Sequence, residues 1–166
     1  MVRERLADLP ARRTARLRLA PLRRADAARL SSITTDRAIT DRIHFLSRPF
    51  TRHAAARLIG GPGRGRDCFV GVWRNGELIG VVGAHLVKDD GIEIGYWIGS
   101  RWHGKGYATE STARVIALLR RRHPVRRIFA ECRPDNRSSW RVLEKLGFHD
   151  TGDFGARPGR RVLTLI

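Results

Sequence analysis

The stretch Gly91-Ile-Glu-Ile-Gly-Tyr-Trp-Ile98-Gly-Ser-Arg101-Trp-His-Gly104-Lys-Gly106-Tyr-Ala-Thr109 decides how the rest of the chain is read. Ile92, Ile94, Tyr96 and Ile98 alternate with Glu93, Gly95 and Trp97, the period of two that marks a strand covered on at least one side. Arg101 to Gly106 then has the form R-x-x-G-x-G. Gly104 and Gly106 permit backbone conformations that a Cβ forbids, so consecutive N–H groups can turn inward around an oxyanion. From Tyr107 the spacing becomes helical, with Ala108, Thr112, Val115, Ile116 and Leu119 recurring on one face. A helix N-terminus therefore stands directly behind the loop, its unpaired N–H groups and positive dipole end aimed at the same place. Arg101 and Lys105 add charge, and a pyrophosphate fits such a junction.

The loop differs from two other phosphate-binding patterns. It lacks the Gly-Lys-Ser/Thr ending with which a P-loop holds Mg²⁺, and it lacks the third glycine of a dinucleotide-binding G-x-G-x-x-G. Both absences argue against a nucleotide hydrolase or a dehydrogenase. A lone G-x-G also serves tight turns that bind nothing, so the loop needs company to count.

That company comes about thirty residues on, in Asn136-Arg-Ser-Ser139-Trp-Arg-Val-Leu-Glu-Lys-Leu-Gly-Phe148. Together with EIGYWIG-x-x-x-x-GKGYATE over Glu93 to Glu110, it resembles the GNAT superfamily of acetyl-CoA-dependent N-acetyltransferases, and within it the branch of ribosomal-protein N-terminal acetyltransferases. The likeness is strong from Cys68 to Phe148 and weak outside. It implies a single domain over residues 1–166 of mixed α/β (α+β) class: a mostly antiparallel central sheet flanked by helices and splayed at the family's strands 4 and 5.

The resemblance also implies a site. The backbone of Trp97 and Ile98 would pair with the pantetheine arm of acetyl-CoA as an added strand, with one N–H polarising the thioester carbonyl. Arg101, Trp102, His103, Gly104, Lys105, Gly106, Tyr107, Ala108 and Thr109 would cradle the pyrophosphate. Asn136 would hold the cofactor arm, and Ser139, in the first turn of its helix, would bond the leaving thiolate. Most of the rate gain should come from orienting an amine beside the thioester. Glu93 is the preferred catalytic base because it breaks an apolar run near the expected acetyl group; a salt-bridged glutamate is the competing reading. Glu131 is its substitute and His85 a third candidate, otherwise a hydrogen-bonded wall residue. No glutamate lies between Phe154 and Ile166 where some relatives place one. Ile39, Ile43, Phe45 and Phe50 are candidates for the acceptor pocket or for plain core.

The expected activity is acetyl transfer to a primary amine, either a protein N-terminus or a small amine. The alternative is a non-catalytic acetyl-CoA-binding module that contacts RNA or a partner protein. A net charge of +17 invites nucleic acid or the ribosome as partner. The charge is nearly all arginine, however, with Lys88, Lys105 and Lys145 the only lysines, and it is spread along the chain, as compositional bias would produce. No helix-turn-helix or zinc-finger pattern supports a nucleic-acid partner. With 166 residues, 42% of them hydrophobic, one domain with a real core is expected. No run of roughly eighteen apolar residues appears, so a cytoplasmic protein without membrane association is expected. Monomer and homodimer both stay open. Cys68 and Cys132 fall in strand-like runs, and neither they nor the six histidines have metal-ligand spacing, so no metal is expected.

Outside the central stretch, Met1 to Arg13 reads as a loose lead-in, Thr14 to Leu19 as a strand closed by Pro21, and Arg23 to Thr35 and Ala38 to Phe45 as helical. Thr51 caps a helix to Ile59. Gly60 to Arg66 reads as a plain loop, since an Arg-Gly RNA-binding segment would repeat. Asn75-Gly76 marks a two-residue hairpin between apolar runs, and Asp89-Asp90-Gly91 a second turn. The central helix should end at His123-Pro124. Ile128 to Cys132 is a buried strand, Asn136 or Asp135 caps a helix ended by Gly147, and Phe148 to Gly152 and Val162 to Ile166 close the chain as strands.

Overall fold

The computed structural model describes residues 6, 9–61, 65–87 and 91–166. Its strands are β1 (Arg12–Arg13), β2 (Arg18–Pro21), β3 (Asp67–Arg74), β4 (Glu77–Leu86), β5 (Gly91–Ile98), β6 (Arg127–Cys132), β7 (Phe148–Phe154) and β8 (Arg161–Leu165). They form one sheet in the order β1-β2-β3-β4-β5-β6-β8-β7. Every pairing is antiparallel except β5 with β6. The helices are α1 (Ala27–Thr34), α2 (Arg37–Thr40), α3 (Arg52–Gly60), α4 (Tyr107–Arg122) and α5 (Arg137–Lys145). Among the described residues, no helix is long and apolar enough to cross a membrane.

Local chemistry explains most element ends. Asn75 and Gly76 both have positive φ, 49° and 80°, as a two-residue hairpin loop demands, and they join β3 to β4 where expected. Thr51 Oγ1 accepts the Ala54 N–H at 3.1 Å to start α3. Asn136 caps α5, and Gly147 follows its end at φ 88°.

The strand alternation sorts residues onto two faces. Ile92, Ile94 and Ile98 of β5 pack with Val115, Leu119 and Leu143 from α4 and α5. Trp97, with Val81 and Trp73, packs on the opposite face with Leu30, Ile33 and Ala55 from α1 and α3. Cys68 and Cys132 are both buried in strands, as their apolar surroundings suggested.

Three expectations change. Thr14 to Leu17 is a turn, closed by Thr14 N–H to Leu17 O at 2.9 Å and Leu17 N–H to Thr14 Oγ1 at 3.0 Å, so the strand begins at Arg18 and Arg12–Arg13 becomes an edge strand beside it. The threonine hydroxyl offers the backbone a turn that outcompetes the alternating pattern. The lead-in is not loose at Leu6 and Leu9, which are 3% and 2% exposed and belong to the core. The helical stretch from Ala38 shrinks to the single turn of α2, with Asp41 to Phe45 in turns. In this chain's count the splayed pair is β5 and β6, because the N-terminal edge strand adds one. The expected turn at Asp89-Asp90 and part of the Gly60 to Arg66 loop lie outside the described residues.

Candidate active site

The parallel ladder between β5 and β6 lasts only three pairs, Gly91–Arg127, Ile92–Ile128 and Glu93–Phe129. Beyond them the strands part, and a cleft of about 790 Å³ opens, lined on one side by Ile94 to Ile98 and on the other by Ala130 to Arg133. Hydrogen bonds Val87 N–H to Gly91 O (3.0 Å) and Gly99 N–H to Ile79 O (2.8 Å) fix the phase of the β4–β5 ladder. Odd-numbered β5 residues, Trp97 among them, therefore spend their backbone groups on β4, while Tyr96 and Ile98 turn theirs toward the opening. The Ile98 carbonyl is already taken by the His103 ring, whose Nε2 donates at 2.6 Å. Of the expected backbone pair, Ile98 faces the opening and Trp97 does not. Its neighbour Tyr96, missed in the sequence reading, takes that place.

At one end of the cleft lies the glycine loop. Gly104 and Gly106 have φ of 72° and 80°, and α4 starts at Tyr107 with no side-chain cap on its N-terminus. Its first-turn N–H groups and the positive end of its dipole therefore meet no capping side chain, the arrangement that favours an anion. Arg16 anchors the loop from outside: its Nη1 donates to the Lys105 carbonyl at 3.0 Å while its Nε holds Glu110 at 2.7 Å. Trp102, His103, Gly104, Gly106, Tyr107, Ala108 and Thr109 line the cleft. The side chains of Arg101 and Lys105 do not; Arg101 stacks over Trp102, with 5.2 Å to the ring centroid.

Beside the opening, on the α5 side, Tyr96 Oη meets Ser139 Oγ at 2.9 Å and the Ser139 carbonyl at 3.1 Å. Burial pushes the Tyr96 phenol well above its ordinary range, the bond to Ser139 offsetting only part of this. Cys132 closes the same corner, its thiol also pushed up by burial. Asn136 lines the cleft, with Oδ1 turned to the Ser138 hydroxyl (3.2 Å) and the Ser139 N–H (3.5 Å) of its own helix.

Across the sheet, on the α1–α3 side, the tail between β7 and β8 reaches over β6 and β5. Arg157 forms ion pairs with Glu93 and, through Nε at 3.0 Å, with Glu131, whose oxygens also take the N–H of Ala156 (2.8 Å) and of Arg157 (3.3 Å). Both carboxylates proposed as bases are therefore held by one guanidinium. Gly155 makes the approach possible: a Cβ there would fall 2.5 Å from Glu131 Cδ. His44 sits against Arg157, and burial together with the Arg157 and Arg160 charges lowers it to about 4. Of the acceptor-pocket candidates, Ile39, Ile43 and Phe45 line the cleft, while Phe50, 3% exposed, is core.

The model of the acetyltransferase (GNAT) domain matches residues 16–149. The chain belongs to the GNAT acetyltransferase family. This GNAT domain is 34% identical over 79 residues to the [ribosomal protein uS5]-alanine N-acetyltransferase of Escherichia coli (strain K12), a match covering 46% of this chain and 41% of that protein. The chain thus aligns with less than half the length of this curated relative. A GNAT-family acetyltransferase structure from Bacillus anthracis superposes with a TM-score of 0.77 at 22% identity, covering 93% of this chain and 96% of the other. A ribosomal L7/L12 α-N-protein acetyltransferase in complex with coenzyme A gives 0.77 at 18% identity, covering 95% and 96%. Both structures share the fold seen here. The tail carrying Arg157 and Arg160 lies beyond the residues that match the family domain.

Proposed function

We propose that this GNAT domain transfers an acetyl group from acetyl-CoA directly to a primary amine. The observation that carries the reading is the opening between β5 and β6, which joins an uncapped helix N-terminus at one end to a paired tyrosine and serine hydroxyl at its centre. In this reading the pyrophosphate rests on the glycine loop and the first turn of α4. The pantetheine arm adds to the free edge of β5 at Tyr96 and Ile98, and the Ile98 N–H faces the thioester carbonyl. Ser139 and Tyr96 meet the departing sulfur. Asn136 shapes that corner by fixing the first turn of α5.

The acceptor enters from the opposite face, between Phe45, His85, Trp97 and the Glu93–Arg157–Glu131 cluster. The uS5-alanine relative supports a protein N-terminus as acceptor, and a small amine is the other class the cleft accommodates. The test is to incubate the protein with acetyl-CoA and a panel of amines: peptides beginning with Ala or Ser, polyamines and aminoglycosides. Acetylated amine should appear in step with free coenzyme A thiol. Acetyl-CoA binding without thiol release from any amine would contradict the proposal.

A further inference from the structure

The carboxylates that sequence reasoning put forward as base are engaged with Arg157, which leaves the question of what accepts the proton from the incoming ammonium. Four histidine or carboxylate groups other than Glu93 border the acceptor side or the loop: Glu131, His44, His103 and His85. Glu131 accepts three N–H groups, His44 faces the Arg157 guanidinium, and His103 gives its ring N–H to Ile98 O. His85 is arranged differently.

His85 lies on β4 opposite Asp67 of β3 and opposite Glu93 of β5, so the three form one row across the sheet on the acceptor face. Its Nδ1 is 2.8 Å from Asp67 Oδ1. A carboxylate only accepts, so Nδ1 carries the proton and Nε2 keeps its lone pair. The ring lies back along β4: a Cβ built on Gly83 would come within 3.0 Å of Nε2. Gly83 pairs with Gly95 on β5, where an added Cβ would meet nothing within 4 Å. Gly83 thus seats the imidazole, with the Phe69 ring 3.3 Å from the same added Cβ, and bare Gly95 leaves space between Nε2 and the edge of the opening. Phe45 and Phe69 wall that space, their centroids 5.9 and 5.3 Å from the His85 ring.

We propose that His85, oriented by Asp67, is the general base of this acetyltransferase. The inference rests on the acetyl-transfer reading above. The acceptor ammonium gives one proton to Nε2, which passes it to water. The freed lone pair attacks the thioester carbonyl carbon, the C–N bond forms and the C–S bond breaks. The nitrogen loses its second proton to Nε2, by then free again, as the amide forms, and the thiolate gains one from solvent relayed through the Tyr96–Ser139 hydroxyl pair. Overall, one proton goes to sulfur and one to solvent. Asp67 is a positioning residue that fixes the tautomer and stabilises the imidazolium.

The charges around His85 are Asp67 on β3, Glu93 on β5, His44 before α3, Arg157 from the tail, and Arg66, whose Nη2 is bound to Leu86 O. The test compares wild type, His85→Gln, Asp67→Asn and Glu93→Gln, using the best amine from the panel. His85→Gln should lower kcat about 100-fold with the KM for acetyl-CoA unchanged. It should also remove the enzyme ionisation from the acid side of kcat/KM, leaving only that of the amine. Imidazole should rescue His85→Ala. A His85→Gln enzyme within about threefold of wild type, or loss of that ionisation in Glu93→Gln instead, would overturn the proposal. A second measurement needs no acceptor: ¹⁵N-detected histidine spectra of the free protein should show neutral His85 protonated on Nδ1, and the Nε2–H tautomer would overturn it. A wild type inactive on every amine but with the Nδ1–H tautomer would count against the acetyl-transfer reading and not against the dyad.

Discussion

Tyr96 Oη and Ser139 Oγ stand 2.9 Å apart, tying the central strand to the first turn of α5 across the opening in the sheet. Because burial holds the phenol protonated far into the alkaline range, in the proposed transfer the pair remains a hydrogen-bond donor to the departing sulfur at any working pH. Tyr96→Phe and Ser139→Ala should each lower kcat by roughly 10- to 100-fold while acetyl-CoA still binds. The double variant should lose little more than either single one, since the hydroxyls act as a unit. Steady-state kinetics of the four proteins check this; multiplicative losses would show that the two act separately.

Arg157 compensates Glu93 and Glu131, whose side chains are only 16% and 6% exposed. Arg157→Ala leaves two largely buried carboxylates facing each other and should cost about 3 kcal/mol, a midpoint drop of roughly 6–12 °C for a domain of this size. Thermal unfolding measures it. The same variant should raise the pKa of His44, which burial first and the Arg157 charge next hold at about 4. The sign follows from linkage: a histidine held below its ordinary value binds its proton more readily when unfolded. Wild type therefore loses stability as pH falls from about 6.5 towards 4, and Arg157→Ala should lose less over that window.

Gly104 has φ of 72° and nothing within 4 Å of an added Cβ, so Gly104→Ala has room but the wrong backbone. Left-handed alanine costs about 1–2 kcal/mol, and relief of that strain should turn N–H groups away from the anion. The fold should survive and acetyl-CoA binding should weaken at least about tenfold, read by calorimetric titration. Unchanged affinity would remove the loop from the binding site.

Glu110 anchors the other side of that loop. Burial alone would raise its carboxyl, but hydrogen bonds from the Thr14 hydroxyl, the Arg16 side chain and the Arg16 N–H, with the Arg16 charge, bring it below the ordinary 4.5. A depressed carboxylate contributes stability above its unfolded pKa and loses it as pH falls through the folded one. Denaturant midpoints of wild type should thus drop below about pH 4.5, and Glu110→Gln should lack that part of the drop while being less stable at pH 7.

What the sequence revealed was local. Asn75-Gly76 and the Asn136 cap are decided by residues within a few positions of one another, and both appear where the sequence placed them. The glycine loop and the start of α4 were legible for the same reason. Leu6 and Leu9 were hidden, because two leucines among arginines show no period until a sheet covers them. Arg157 was hidden because it lies outside any motif and its partner Glu93 is 64 positions away. Tyr96 read as one more apolar strand residue; only the separation of β5 from β6 gives its hydroxyl a partner and its backbone an open edge.

In the proposed reading the opening and the glycine loop together form an acetyl-CoA site. Thermal unfolding with and without acetyl-CoA, with a polyanion such as heparin as charge control for a chain of net charge +17, tests it most directly. At roughly a hundred times its dissociation constant the ligand adds about 2.7 kcal/mol, and the midpoint should rise by roughly 5–10 °C with acetyl-CoA and not with heparin. An equal rise with both, or none with either, would contradict an acetyl-CoA site and reduce the loop to a turn or a generic anion site.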